Sequence, residues 1–377
     1  MTVIRILHLI TDTDSGGAEV MLRNVTTRMD RGRFENRVVS MMHAGSLAPS
    51  FAAGGIDVES LSMRRGRADP RALWRLVRTI RRFRPDIVQT WLYHADLLGS
   101  AAAWMGGAPV LTWNLRNSGI DSRFGLTTRI SLGILARLSR CPAAVVTNSR
   151  AGQQNHEALG YRPRVWKFLP NGFDVERFRP DPAARGRVRA SLGIPEDAVV
   201  VGLLARFHPS KDHRTFLEAV RIAARPGVHY LFAGRGTEEL PALAREIVPG
   251  ARIHALGERH DVPELTAALD VACSTSGLGE GFPNTIGEAM ACGVPCIATD
   301  SGDARWLIGD AGRIVQPRDA AEFARELGAM LDLPAAERCA IGARGRARIV
   351  RDFGIDSVVR QYEDFYAGLV ADRPRMG

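Results

Sequence analysis

Two successive blocks of the sequence alternate short apolar segments with helical segments, and this alternation limits the folds open to the chain. In the first block, apolar segments such as Val3–Ile10 and Ile87–Thr90 are each followed by a turn and an amphipathic stretch. The alternation starts again in the second half, for example at Val199–Leu204. Parallel strands need a crossover between them, so the pattern predicts parallel sheets with helices on both faces. A length of 377 residues fits two such domains.

A turn-rich connector separates the two blocks. Residues 169–174 read Leu-Pro-Asn-Gly-Phe-Asp, and turn formers at this density interrupt the alternation. We therefore expect an N-terminal domain of residues 1–172 and a second domain of residues 173–354. Residues 355–377 begin with a helical pattern and form the C-terminal segment.

The stretch from Glu280 to Asp300 carries the strongest chemical signal. It reads EGFPNTIGEAMACGVPCIATD, which predicts a Gly-rich loop, a helix over Thr285–Ala291 and a short buried strand. Glu280 lies on the loop, and Glu288 is expected in the first turn of the helix. A helix N-terminus binds phosphate, and carboxylates accept strong hydrogen bonds from hydroxyl groups. The stretch therefore fits a ligand that carries both phosphate and sugar hydroxyls.

Glu288 also has a structural interpretation. Thr285 followed three residues later by Glu288 fits a capping box, in which both side chains satisfy backbone N–H groups at the helix start. In that case Glu288 stabilises the helix and binds no ligand.

Taken whole, the stretch resembles the E-x7-E signature of retaining glycosyltransferase family 4. That family has the GT-B fold, an α/β architecture of two doubly wound, Rossmann-like parallel-sheet domains that face a cleft. The resemblance implies that Glu280 holds the hydroxyls of the donor sugar and that Glu288 holds the nucleotide ribose. It also implies that residues 355–377 cross back to the first domain. The intervening segment, expected to hold the distal phosphate, consists of Gly281, Phe282, Pro283 and Asn284.

Two cationic residues follow the first strand of the second domain. Arg206 and Lys211 lie in the string ARFHPSKD, directly after Val199–Leu204. Ligands of open α/β sheets bind at this end of the strands, where two cations can neutralise a diphosphate. The plain alternative is an exposed loop with ordinary charges. The string resembles the family's G-R-x-x-x-x-K-G element, which implies that Arg206 and Lys211 bind the donor phosphates.

A second Gly-rich loop follows the first strand of the chain. Gly16 and Gly17, followed by Ala-Glu, fit either a tight turn or a loop that lets a ligand approach the backbone. The string resembles the family's G-G-A-E element, which implies donor binding. Asp12 and Asp14 spell D-x-D, a motif that binds a divalent cation in another glycosyltransferase fold. We expect no metal and no cofactor, because Arg206 and Lys211 already supply positive charge.

Acceptor-side residues are harder to read from the sequence. His94 follows the predicted strand Ile87–Thr90. A lone histidine is usually structural, but the family often has a histidine near this position, which implies a role in the cleft. Many family members place a histidine after the next strand, but this chain has Asn114 and Arg116 there. We expect one of these two side chains to take that place.

The segment Arg64–Arg84 contains nine arginines and no lysine, interleaved with apolar residues. It fits a solvated amphipathic helix, a helix that contacts an anionic membrane surface, or a nucleic-acid contact. Nucleic acid is the least favoured, because no nucleic-acid-binding module accompanies the segment. The net charge of +9 and pI of about 9.9 favour an anionic partner in general.

Several features bear on location. Five cysteines without a metal-binding spacing predict reduced thiols, and the apolar start lacks the marks of a signal peptide. The uncharged stretch Leu97–Leu115 is long enough to span a bilayer, but its Gly-Gly and proline predict a helix, a turn and a strand. We expect a cytoplasmic protein that can lie on the inner face of the cell membrane.

These features together predict a retaining, metal-independent glycosyltransferase. Its donor would be a UDP- or GDP-sugar, and its acceptor a hydroxyl of a glycan or lipid-linked molecule in cell-surface polysaccharide or glycolipid synthesis. Glu280, Arg206, Lys211 and His94 are the predicted catalytic residues. Two alternatives remain open: a nucleotide-sugar epimerase of the same fold, and a basic surface-binding protein without catalysis.

Overall fold

The computed structural model describes residues 3–14, 16–64, 69–116, 126–277 and 279–372, apart from the side chain at position 126. The chain forms two compact units, each of which is described separately. One unit runs up to Gly172 and resumes at Ile355, and the other is Phe173–Gly354.

The described part of the first unit contains a seven-stranded sheet in which all neighbouring strands are parallel. Its order is β3-β2-β1-β4-β5-β6-β7. The strands are Ile4–Ile10 (β1), Phe34–Ser40 (β2), Val58–Ser60 (β3), Ile87–Trp91 (β4), Val110–Leu115 (β5), Ala144–Thr147 (β6) and Trp166–Phe168 (β7). Every residue of β4 is buried, as expected for a central parallel strand that is covered on both faces.

Helices cover this sheet, and the C-terminal helix packs in the same core as β1 and β4. They are Gly17–Arg28 (α1), Ala48–Ala53 (α2), Pro70–Phe83 (α3), Tyr93–Gly106 (α4), Leu126–Leu138 (α5), Arg150–Ala158 (α6) and, after the second unit, Ile355–Ala371 (α15). The predicted division of Leu97–Leu115 into a helix, a turn and a strand is confirmed, because α4 ends at Gly106 and β5 begins at Val110. No helix in the described ranges is long and apolar enough to cross a membrane.

The second unit contains a six-stranded parallel sheet in its described residues, with the order β10-β9-β8-β11-β12-β13. The strands are Val200–Leu204 (β8), His229–Ala233 (β9), Arg252–Ala255 (β10), Val271–Ser274 (β11), Cys296–Thr299 (β12) and Gly312–Val315 (β13). The helices are Pro182–Ser191 (α7), His213–Ala223 (α8), Leu240–Ile247 (α9), Val262–Ala267 (α10), Asn284–Ala291 (α11), Ala304–Ile308 (α12), Ala320–Asp332 (α13) and Ala335–Arg348 (α14). The predicted fold class, two parallel-sheet Rossmann-like domains, is therefore confirmed.

The strand order of the second sheet explains where a ligand site can form. From β8 the chain proceeds outward in one direction to β9 and β10, and then outward in the other direction from β11 to β13. The loops that leave β8 and β11 therefore turn away from each other and open a crevice at the carboxyl ends of two adjacent strands. Open α/β sheets bind ligands at such a switch point.

Helix α7 is absent from the sequence-based prediction, which assigns no element between the connector and the strand at Val199–Leu204. The helix begins at an Asp181 cap, whose side chain accepts from the backbone N–H of Ala184, but its arginine-rich sequence shows little apolar periodicity. Ion pairs with Asp270, which is distant in the sequence, stabilise this helix. Arg189 is 2 % exposed and donates to Asp270 at 2.6 Å, and Arg185 reaches the other oxygen of that carboxylate at 2.6 Å.

Candidate functional site

The predicted site residues of the second unit lie on the loops that leave β8 and β11. Arg206 and Lys211 follow β8, and Glu280 follows β11. The structure brings the latter two together, because the Lys211 ammonium donates to Oε2 of the Glu280 carboxylate. Both side chains are largely buried, with 24 % and 16 % of their surfaces exposed. An ion pair at this depth is screened less by salt than a surface pair.

A serine that the sequence analysis does not single out completes this arrangement. The Ser276 hydroxyl donates to the same Glu280 oxygen, Oε2, at 2.7 Å. No partner is found for Oε1 of Glu280 among the described residues, so this second oxygen can accept from a ligand. Ser276 is 2 % exposed. The hydroxyl and the ammonium therefore fix the carboxylate orientation from one side.

Further hydrogen bonds hold the two loops against each other. Thr275 Oγ1 donates to the backbone carbonyls of Lys211 at 2.9 Å and Asp212 at 3.0 Å. The Gly277 N–H donates to the Ser210 carbonyl at 3.0 Å, and Thr299 on β12 donates to the Ser276 carbonyl at 2.6 Å. Because these bonds use the backbone, they set the positions from which the Lys211 and Glu280 side chains meet.

Arg206 differs from Lys211 in its exposure and in its contacts. Its side chain is exposed and makes no hydrogen bond or ion pair with any described residue. It lies two residues beyond β8, on the same strand-end loop as Lys211. The structure therefore leaves this guanidinium available to an anion, but does not bring it to Glu280.

Glu288 lies in the second turn of α11, which corrects the prediction that it lies in the first. The helix begins at Asn284 rather than Thr285, and its N-cap residue is Pro283, which supplies no side-chain hydrogen bond. Thr285 is thus the second helical residue and cannot act as the cap. The capping-box alternative for Glu288 is therefore wrong.

The Glu288 carboxylate is partly buried and has no hydrogen-bond or ion-pair partner among the described residues. Burial raises its pKa from 4.5 to about 7, and the positive charge of Arg177 opposes this shift. A buried carboxylate without an internal partner is costly to keep in a fold. This cost is explained if the group serves a ligand.

The segment Gly281–Asn284 presents its backbone rather than its side chains. Phe282 is 5 % exposed and packs against Phe173 and Trp306, with ring centroids 6.0 Å and 6.1 Å away. Pro283 is also buried. The predicted donor-binding role of these two residues can therefore involve only their backbone. The N-terminus of α11 follows directly.

Gly302 supports the Glu280 loop from the β12 side. Its φ of +61° lies in the left-handed region, and a Cβ atom there would come within 2.6 Å of the Glu280 carbonyl oxygen. The next residue, Asp303, donates its N–H to the Gly281 carbonyl at 2.8 Å. A side chain at position 302 would displace the loop that carries Glu280.

In the first unit, Gly16 and Gly17 form the start of α1, with Gly16 as the N-cap residue. A Cβ atom at Gly16 would lie only 2.1 Å from Oε2 of Glu19, so the glycine makes room for this carboxylate. Burial raises the pKa of Glu19 from 4.5 to about 7, with a smaller contribution from the negative charges of Asp12 and Asp14. Nothing in the sequence around Glu19 marks it as an unusual group.

The D-x-D residues make ordinary contacts. Asp14 lies 3.5 Å from the His43 ring, and Asp12 accepts from the Asp14 N–H at 3.2 Å. Within the described ranges, no group of three or more His, Cys, Asp or Glu side chains is placed to hold a metal ion.

His94 and the residues proposed to replace a second histidine have different surroundings. His94 is exposed at the start of α4. Asn114 is fully buried and donates to the Tyr362 hydroxyl at 3.2 Å. Arg116 donates to Asn171 Oδ1 at 2.5 Å and to the Tyr362 hydroxyl, and its guanidinium lies 5.0 Å from the centre of the Trp91 ring.

These contacts weaken the expectation that Asn114 or Arg116 binds the acceptor. Both side chains belong to a hydrogen-bond network that joins strand β5 to helix α15. The network also includes Asn171, near the end of the first unit's main segment. Burial lowers the pKa of Arg116. We interpret the pair as structural, and His94 remains the accessible candidate on this side.

The chain was compared with known families and proteins. Residues 15–177 match the family model described as Glycosyltransferase Family 4, and residues 198–332 match the model described as Glycosyl transferases group 1. The two matches together cover most of both structural units. They include Gly16, Gly17, His94, Arg206, Lys211, Glu280 and Glu288.

Among curated proteins, the chain is 25 % identical over 321 residues to UDP-Gal:alpha-D-GlcNAc-diphosphoundecaprenol alpha-1,3-galactosyltransferase of Escherichia coli, with 81 % of each chain covered. It is 34 % identical over 204 residues to a GDP-mannose-dependent monoacylated alpha-(1-6)-phosphatidylinositol monomannoside mannosyltransferase of Corynebacterium glutamicum. That match covers 51 % of this chain and 53 % of the relative, so the chain spans about half the length of this protein.

Among solved structures, HepE of Anabaena in complex with UDP-glucose superimposes with a TM-score of 0.83 and 24 % identity. The match covers 97 % of this chain and 100 % of HepE. At this identity the likeness establishes the shared fold.

Proposed function

Because this chain belongs to glycosyltransferase family 4, we propose that it transfers a sugar, with retention of anomeric configuration, from a UDP- or GDP-sugar to an acceptor hydroxyl. The observation that carries the proposal is the arrangement of Lys211, Ser276 and Glu280 at the switch point of the second sheet. A carboxylate held on one oxygen by two donors, with its other oxygen open, suits a neutral ligand rich in hydroxyls.

We assign Glu280 to the hydroxyls of the donor sugar. Its Oε1 atom is the open acceptor, and the loop that carries it runs into the N-terminus of α11 within a few residues. A sugar at Oε1 would thus have its phosphate next to the N-terminus of α11. We assign the distal phosphate to the backbone of Gly281–Asn284 and the ribose to Glu288.

Arg206 and Lys211 are assigned to the diphosphate. Arg206 supports this role by its exposure and by its lack of an internal partner in the described part of the chain. Lys211 can turn part of its three-donor ammonium toward phosphate while it still contacts Glu280. Two cations at the leaving group stabilise the charge that develops there, which is why we propose transfer without a metal ion. Gly16 and Gly17 are proposed to take part in donor binding.

For the chemical step we propose front-face substitution, in which the leaving phosphate oxygen helps to deprotonate the acceptor hydroxyl. Glu280 is engaged with Lys211 and Ser276, which favours an orienting role over nucleophilic attack. The protein would supply position and charge stabilisation. His94 is proposed to take part in catalysis.

The acceptor is proposed to be a glycan or a lipid-linked molecule in cell-surface polysaccharide or glycolipid synthesis. The support is indirect: the E. coli relative is named for a diphosphoundecaprenol substrate and the C. glutamicum relative for a phosphatidylinositol mannoside. We propose accordingly that the protein is cytoplasmic and lies on the inner face of the cell membrane. Its anionic surface contact would be the segment Arg64–Arg84.

The proposal is tested by incubating the protein with UDP- and GDP-sugars, with and without undecaprenyl-diphosphate-linked sugars as acceptors. We expect transfer, or slow donor hydrolysis, with the released anomer identified by NMR as retained. Activity should survive excess EDTA. Inversion, epimer formation without transfer, or full loss on chelation that Mn²⁺ restores would each contradict part of the proposal.

A further inference from the structure

We propose that a groove on the first unit binds a sugar that carries a carboxylate or a phosphate group, at a site of its own. The groove has a volume of about 570 Å³. We call it the arginine groove and define it by four of its lining residues, Arg140, Arg162, Arg164 and Trp166. The choice of a sugar as ligand rests on the proposed function, but binding in the groove requires no sugar transfer.

The arginine groove lies at the amino ends of the strands of the first sheet. Arg140 lies in the connection from α5 to β6, and Arg164 lies in the connection from α6 to β7. Gly16 and His94, in contrast, come after β1 and β4, at the carboxyl ends of the strands. Because neighbouring strands of this sheet are parallel, these two sets of residues lie at opposite edges. The groove is therefore separate from the predicted site residues of the same unit.

The positive charge of the groove is not balanced by its arginines' own contacts. The side chains of Arg140 and Arg164 are exposed and make no hydrogen bond or ion pair with any residue that the structure describes. Arg162 donates through Nη1 to the backbone carbonyls of Glu157 at 2.6 Å and Tyr161 at 2.7 Å. These two bonds hold the guanidinium in place but leave its charge available to an anion.

Among the described residues that line the groove, Glu157 supplies the one carboxylate. This carboxylate accepts from Nε2 of Gln153 at 2.9 Å and forms no ion pair within the described ranges. Three arginines beside one carboxylate leave a surplus of positive charge, which attracts an anionic ligand. A guanidinium group binds carboxylate and phosphate in the same bidentate geometry, so either group suits the groove.

Trp166 adds an apolar surface beside this charge. Its side chain is half-buried and packs against a buried cluster that includes Trp113 and Val145. Trp166 is the first residue of β7, and its pairing with Val145 of β6 fixes its backbone. A rigid indole can pack against the C–H face of a pyranose ring, whose charged substituent then reaches the arginines.

The combination of indole and guanidinium groups defines the ligand class. Arginines alone would bind inorganic phosphate as well as a sugar. The groove volume of about 570 Å³ falls within the roughly 300–1,000 Å³ of small-molecule sites, which is far more than one phosphate ion fills. A nucleotide also combines a ring with phosphate. We commit to an anionic sugar because the proposed function is glycan synthesis, and we treat a nucleotide as a competing outcome.

The test is calorimetric titration of the full chain with three oligosaccharides of equal length: an oligogalacturonate, a phosphorylated mannose oligosaccharide and a neutral maltooligosaccharide. The wild type should bind one or both of the charged compounds about tenfold more tightly than the neutral one. The compound that binds more tightly identifies carboxylate or phosphate as the preferred group. Arg140→Gln/Arg164→Gln should weaken this binding by about tenfold or more, since it removes two charged donors.

The matched control removes the same charge from another basic surface of the first unit, helix α3. Arg78 and Arg82 on α3 are exposed and make no hydrogen bond or ion pair within the described part of the chain. Arg65 and Arg67, which belong to the same predicted basic segment, lie outside the described residues. Arg78→Gln/Arg82→Gln should bind the charged oligosaccharide normally. Equal losses in both double variants would show general attraction to charge and would overturn the inference.

Two further measurements separate a sugar site from other readings. Trp166→Leu, with its fold checked by circular dichroism, should also weaken binding of the charged oligosaccharide. Saturating UDP or GDP should leave that binding unchanged. Displacement by either nucleotide, equal affinity for inorganic phosphate, or no binding by the wild type would each contradict the assignment.

A final comparison separates this inference from the proposed function. Donor hydrolysis should persist in Arg140→Gln/Arg164→Gln, because neither arginine is assigned to the donor. Absence of transfer and hydrolysis in the wild type, with oligosaccharide binding intact, would refute the proposed function and not the groove. Normal transfer by a wild type that binds no charged oligosaccharide would refute the groove alone.

Discussion

Oγ of Ser276 lies 2.7 Å from Oε2 of Glu280, the same carboxylate oxygen that accepts from Lys211. Two donors on one oxygen leave the other oxygen of Glu280 to the ligand. The orientation of this carboxylate is thus set before a donor sugar arrives, which lowers the cost of binding in the productive geometry. Removing the hydroxyl that orients Glu280 should therefore change catalysis.

Ser276→Ala should lower kcat/KM by about ten- to a hundred-and-fiftyfold, since a hydrogen bond to a charged group contributes about 1.5–3 kcal/mol. Affinity for free UDP or GDP should stay unchanged, because neither nucleotide contains the sugar that Glu280 holds. Steady-state kinetics and calorimetric titration check the two quantities. Ser191→Ala, which removes a hydroxyl bonded to a backbone carbonyl on α7, is the control. Equal losses of nucleotide affinity and turnover would indicate general damage to the loop.

Lys211→Ala and Arg206→Ala should each remove about 2–4 kcal/mol of transition-state stabilisation. The structure distinguishes the two residues, because Lys211 contacts Glu280 and Arg206 does not. Combined with Glu280→Gln, the Lys211 substitution should cost clearly less than the sum of the single losses. The Arg206 substitution should add its full cost. A double-mutant cycle on kcat/KM measures both couplings, and additivity at Lys211 would show that the ion pair has no role in turnover.

Glu288→Gln should weaken nucleotide affinity and raise the melting temperature at pH 8. Burial raises the carboxyl pKa from 4.5 to about 7 in the folded chain, so ionisation costs folding stability as the pH rises through this window. A neutral glutamine avoids that cost but binds the ribose hydroxyls less strongly. The wild type should also bind nucleotide more tightly at pH 8 than at pH 6.5, and the variant should show less of this dependence.

Titration calorimetry and melting curves of both proteins at the two pH values decide the matter. A lower melting temperature in Glu288→Gln, with nucleotide affinity preserved, would show that Glu288 supports the helix and does not hold the ribose.

Asp270→Asn should destabilise the second unit by about 3 kcal/mol or more, because it leaves the Arg189 guanidinium buried without a carboxylate. Asp332→Asn is a matched control. Asp332 also lies 2.6 Å from an arginine, Arg225, but both side chains are exposed. An exposed pair contributes only about 0–1 kcal/mol. Urea unfolding of the two variants measures the contrast, and equal effects would mean that burial does not govern these ion pairs.

The sequence predicted the sheets well because buried parallel strands leave a local signal. Continuous apolar runs such as Ile87–Trp91 identify a strand without knowledge of its neighbours. The ends of helices are predicted less accurately than the strands. The sequence places Pro283 and Asn284 in the loop, whereas Asn284 begins α11 in the structure. Glu288 therefore lies in the second turn and has no capping role.

Contacts between distant residues could not be predicted from the pattern. Ser276 is four residues from Glu280, but their hydrogen bond depends on the course of the Gly-rich loop between them. Arg189 and Asp270 are 81 residues apart, and neither residue alone indicates that the other exists. Asn114 and Arg116 lie after a strand, where the sequence predicts that one of them takes the place of a histidine, and nothing in the local pattern indicates that both donate to Tyr362, on the last helix of the chain.

The composition of the basic segment that includes α3 has a consequence for regulation. The segment Arg64–Arg84 contains nine arginines and no lysine. Acetylation neutralises lysine but does not act on a guanidinium, so the enzymes that discharge lysine-rich surfaces have no substrate here. At the membrane contact proposed for this segment, attachment would then follow the lipid composition of the bilayer, and a cell that changes its share of anionic lipid would change the amount of enzyme at the membrane.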